Sequence, residues 1–106
     1  MNPTVTLAEP GEYRLAGPVT FDTVASLYES TQFDFVDDGE LTIDLSKVSR
    51  VDSAGLALLL EWMRSSRQSN CRLRFTNIPE QLNSLMEVTG LDDVIASDSA
   101  IGADNL

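Results

Sequence analysis

Apolar residues recur at every second position in four short stretches of the chain, and at three- to four-residue spacing in three longer ones. Val5 and Leu7 make the first alternating pair; Tyr13 and Leu15, between Glu12 and Arg14, make the second. Leu41, Ile43 and Leu45 alternate with Thr42 and Asp44, and Leu73 and Phe75 with Arg72 and Arg74. A period of two puts the apolar side chains on one side of a pleated strand, so each stretch predicts a strand with one wet face. Pro10-Gly11 between the first two is a turn signal and predicts a hairpin.

The longer patterns predict helices. Val24, Leu27 and Tyr28 mark the first, with Thr20 or Asp22 available as its cap. The third strand is expected to end at Leu45 and to reach the second helix, about Ser53 to Ser69, by a short connection. Either Asp52 or Ser53 can accept a hydrogen bond from the otherwise unpaired N–H groups of that helix start. The third helix is expected from near Pro79 through Leu82, Leu85 and Met86, with Gly90 as its stop. Leu91, Val94 and Ile95 are expected to dock back on the body, and the polar segment 97–106 to fray.

The order β-β-α-β-α-β-α predicts an α/β fold with right-handed crossovers and a mixed sheet of four to five strands. Because the strands alternate, helices are expected mainly on one face of that sheet. A chain of 106 residues suits a single domain, with its core at about 5–96.

The second helix raises its own question. Leu56, Leu59, Leu60 and Met63 make one apolar stripe, while Leu58 and Trp62 lie on nearly the opposite side with Ala54. Either Leu58 and Trp62 pack against a neighbouring helix, or they form an exposed stripe continuous with Ser53 that a partner covers.

Composition narrows the chemistry. There is no histidine and one cysteine, Cys71, so zinc sites and Ser-His-Asp or Cys-His triads are excluded. No acid–base pair or phosphate loop emerges, and neither a catalytic role nor a cofactor is expected. Seventeen acidic against seven basic residues give a formal charge of −10, which disfavours nucleic acid and anionic lipid surfaces. The start Met1-Asn2-Pro3-Thr4 has no signal-peptide character, and the apolar run at Ala54 to Leu60 is too short for a membrane span. A cytoplasmic location is expected. Arg64, Arg67, Arg72 and Arg74 are expected to be solvated, with Asp44 as a cross-strand partner.

The information is concentrated where the third strand hands over to the second helix. Val51-Asp52-Ser53-Ala54-Gly55-Leu56 places Ser53 at a helix start, beside small residues that would let another backbone approach. An Asp-Ser-x-Gly-Leu sequence in this setting resembles the hallmark of the STAS family. Together with Asp44-Leu45-Ser46-Lys47-Val48-Ser49-Arg50 and the leucine run from Leu56, it is most similar to the MlaB branch. That resemblance implies a STAS-type fold and a non-catalytic accessory subunit that binds the cytoplasmic ATPase of a phospholipid ABC transporter, meeting the membrane only through that complex. Its implied contact residues are Asp52, Ser53, Ala54, Gly55 and Thr20, with Leu58 and Trp62 if the second stripe is exposed. The alternative branch, anti-sigma factor antagonists, implies phosphorylation of Ser53. Those proteins carry Gly-Glu-Leu/Ile-Asp where this chain has Gly17-Pro18-Val19-Thr20, so the acidic residue is missing at Thr20.

Overall fold

Glu9 pairs with Glu12 across the Pro10-Gly11 turn, and Gly11 takes φ +78°, a left-handed conformation that costs glycine little. This turn joins β1 (Thr4–Glu9) to β2 (Glu12–Val19) as an antiparallel hairpin. The computed structural model describes residues 2–33 and 35–90. After the hairpin come α1 (Val24–Ser30), β3 (Glu40–Val51), α2 (Ser53–Gln68), β4 (Arg72–Thr76) and α3 (Glu80–Thr89). The expected element order is observed. The expected docking of Leu91, Val94 and Ile95 and the fraying of 97–106 lie outside the described residues.

The strands form one four-stranded sheet in the order β1-β2-β3-β4. β2 and β3 are parallel, as are β3 and β4, so the sheet is mixed. Leu15, Val19, Leu41, Ile43, Leu45, Leu73 and Phe75 are buried beneath the helices, with which α2 and α3 close the core. The opposite face is polar and partly wet. There Arg14 Nε stands 3.5 Å from Asp44 Oδ2, and Arg74 donates to Glu40 at 3.0 Å. Asp44 is therefore the partner of Arg14 and of Asn77, which donates to it at 2.9 Å, rather than of the expected arginines.

Two boundaries differ from expectation. β3 runs twelve residues to Val51 instead of ending at Leu45. Its second half, Ser46 to Arg50, pairs with β2 through two register shifts that interrupt the simple alternation. At α1, neither Thr20 nor Asp22 is the cap. Thr23 holds that position, and its hydroxyl accepts from the Thr20 N–H at 2.9 Å and donates to Pro18 O at 2.9 Å.

Candidate partner-binding site

The site is built where β3 ends. Val51 is buried, and its N–H donates 2.8 Å to Gln81 Oε1 at the start of α3. Asp52 stays extended, at φ −122° and ψ −171°, and its carboxylate faces two donors at once. Oδ1 accepts the N–H of Gly55 at 3.0 Å, and Oδ2 accepts the N–H of Phe21 at 3.0 Å. Asp52 is thus the cap of α2 and also ties that helix to the turn between β2 and α1. The Phe21 N–H first, and then the helix N–H groups of Gly55 and Ala54, hold its carboxyl below the usual carboxylate range against the opposing effect of burial.

With Asp52 capping, Ser53 is released from that job. It is the first helical residue, it is exposed, and its hydroxyl makes no hydrogen bond among the described residues. Its side of α2 continues through exposed Ala57 and half-buried Leu60 over the first two turns.

Several expected contact residues are placed elsewhere. Gly55 is buried, and a Cβ there would run into the Val19 carbonyl oxygen and stand 2.7 Å from Val51 Cγ2. Its smallness seats α2 against the ends of β2 and β3, and leaves no room for an incoming chain. Thr20 is 5% exposed, and its Oγ1 is enclosed without a hydrogen-bond partner, so its side chain offers no docking surface. Its carbonyl instead shapes the turn, accepting the N–H groups of Thr23 and Val24 at 2.9 Å.

Of the two readings of the second stripe, packing inside the fold is the one observed, and the exposed stripe is not. Leu58 and Trp62 are 6% and 4% exposed and belong to the same cluster as Leu27. Trp62 meets Phe33 edge-to-face at 4.9 Å, and Phe33 meets Tyr13 in the same way at 5.0 Å. α2 lies centrally, with α1 on one flank and α3 on the other, so it buries a wide arc rather than one stripe. Ala54 sits half-buried beside Ser53.

Phe21 escaped sequence reasoning. It is 79% exposed, although its backbone is fixed by Asp52. The available signal was an aromatic residue in the Thr20-Phe21-Asp22 turn that falls outside the Val24–Leu27 period of α1. Among the described residues, no group of three or more His, Cys, Asp or Glu could hold a metal ion, and no helix is long and apolar enough to cross a membrane.

The chain thus combines a mixed four-stranded sheet packed against helices with a capped helix start that displays an exposed serine. A family model described as "Mlab, STAS domain" matches residues 6–96, and the chain belongs to the STAS-domain family, whose members are protein-interaction modules. It is 34% identical over 82 residues to an anti-sigma-B factor antagonist of Listeria monocytogenes, covering 76% of this chain and 72% of that protein. It is 37% identical over 54 residues to the intermembrane phospholipid transport system binding protein MlaB of Haemophilus influenzae, covering 51% of each. Among solved structures, a sulfate transporter family protein from Wolinella succinogenes superposes with a TM-score of 0.66 at 16% identity, over 93% of this chain and 84% of that one. The anti-sigma factor antagonist SpoIIAA in its unphosphorylated form gives 0.52 at 13% identity, over 80% and 81%. These two likenesses speak to the fold.

Proposed function

We propose that this chain is a non-catalytic accessory subunit that binds the cytoplasmic ATPase of an Mla-type phospholipid ABC transporter and supports its assembly or activity. The observation that carries this reading is the division of labour at the head of α2: Asp52 caps the helix, and the Ser53 hydroxyl is left exposed, with no hydrogen bond among the described residues. A hydroxyl that the fold does not need is free to share hydrogen bonds with a partner. The MlaB description of the family model and the MlaB relative favour the transporter as the partner's setting. ATP would belong to the partner, and the chain would work in the cytoplasm, beside the inner membrane only through the complex.

A second reading, an anti-sigma factor antagonist phosphorylated on Ser53, draws support from the longer match to the Listeria protein. The missing acidic residue at Thr20 weighs against it. One pair of experiments separates the readings. The purified chain should bind the purified ATPase subunit stoichiometrically, and should take up no phosphate from an anti-sigma kinase and ATP. Kinase-dependent phosphorylation of Ser53 without ATPase binding would reverse the assignment.

A further inference from the structure

The turn that carries Phe21 is held from every side. Thr20 accepts two backbone N–H groups, the Thr23 hydroxyl bonds to both Thr20 N–H and Pro18 O, and Asp52 grips the Phe21 N–H at 3.0 Å. Exposure of the ring is therefore not the looseness of a floppy loop. These five hydrogen bonds fix the backbone under a phenyl group that the fold leaves 79% in water. An aromatic side chain presented rigidly loses little entropy when a partner covers it, and this is the composition of a binding anchor. Acidic groups flank it: exposed Asp22 follows it and the Asp52 carboxylate holds its N–H, in a chain of net charge −10 that also exposes Glu29 near the far end of α1.

We infer that Phe21 is the anchor of the docking surface that begins at Ser53, and that it enters an apolar socket rimmed by lysine or arginine on the partner ATPase. The inference rests on the accessory-subunit reading and adds to it the partner's chemistry. Ser53 would supply a polar contact beside the anchor, while Asp22 and Glu29 steer the encounter with the cationic rim.

The test uses the full chain and the purified nucleotide-binding subunit of an Mla-type transporter. Phe21→Ala should weaken binding at least tenfold with an unchanged Tm, since the ring supports nothing inside the fold. Phe21→Leu should fall between, and Asp22→Lys should slow association in a manner that added salt removes. Wild-type affinity in Phe21→Ala, together with lost binding in Ser53→Trp, overturns the anchor and leaves the docking site standing. No effect of either change, or no binding by the unaltered chain, overturns both. Loss of self-association in Phe21→Ala at unchanged ATPase affinity would assign the ring to a second copy of the chain instead, and that too overturns the anchor.

Discussion

Asp52 accepts the backbone N–H of Phe21, 31 residues earlier in the chain, through one carboxylate oxygen while the other caps α2. One side chain thereby joins a helix start to a distant turn, with exposed Ser53 next to it in the chain and exposed Phe21 bonded to it through the backbone. Removing the carboxylate should be felt at both ends. Asp52→Ala is expected to cost about 1–2 kcal/mol for the cap alone, and hydrogen exchange at the Phe21 amide should accelerate beyond what the global loss accounts for. An unchanged Phe21 exchange rate would mean that the turn holds itself and that the tie is incidental.

Ser53→Ala should behave differently. Because the hydroxyl takes no part in the cap, stability should stay within about 0.5 kcal/mol, while affinity for the ATPase falls. Parallel urea melts and binding titrations read both quantities. A stability loss with constant affinity would return Ser53 to the fold.

Gly55→Ala sets helix propensity against packing. Alanine is the better helix former by about 1 kcal/mol, yet its methyl group would collide with the Val19 carbonyl and crowd Val51. A backbone carbonyl cannot rotate aside, so α2 must shift. The expected result is a net loss of about 1–3 kcal/mol by urea denaturation, and a neutral or stabilised variant would contradict the close seating.

Trp62 is the single tryptophan, which makes it a clean reporter. Buried against Phe33, it should emit at short wavelength and be indifferent to added partner. Trp62→Ala should cost about 3–5 kcal/mol through the emptied volume. A red-shifted emission that moves on complex formation would revive the exposed stripe.

These residues also mark where sequence reading reaches its limit. Alternation at Leu41–Leu45 and at Leu73–Phe75, the Pro10-Gly11 turn and the Gly90 stop were legible because each is a local consequence of backbone geometry. The extension of β3 to Val51 was not, since bulged pairing with β2 breaks the period on which recognition depends. The burial of Leu58 and Trp62 on one flank of α2, and of Met63 on the other, follows from that helix lying between two others, which periodicity alone does not reveal. Ser53 could be placed at the helix start, but which of the two adjacent side chains caps depends on where the backbone turns from extended to helical, and Asp52 is the last extended residue. Gly55 read as an opening and is a contact, because smallness looks the same whether the space is filled from inside or outside.

The acid limb of stability should be dominated by two carboxylates. Asp44 is held down at about 2, first by the Asn77 amide, then by the Ser46 N–H, with Arg14 adding to the effect and burial opposing it. Asp52 is lowered in the same direction. In the unfolded chain both titrate near 4, so as pH falls below about 4 the unfolded state binds more protons than the folded one, for Asp44 down to about 2. Stability must then be full above pH 4 and fall as pH drops through that window. The Asp44 share is on the order of 1–2 kcal/mol once screening at half-exposed Arg14 is allowed for. Neutralising a chain of charge −10 relieves self-repulsion over the same range, which works the other way and would mask the effect in the wild type. Asp44→Asn separates the two, since it removes the titration of one group and leaves the rest of the surface intact. Urea midpoints at pH 7, 4 and 2.5 should show the variant less stable than wild type at pH 7 and converging on it at the lowest pH. A constant gap across the series would mean that the Asp44 contacts stabilise through shape and hydrogen bonding, and not through its charge.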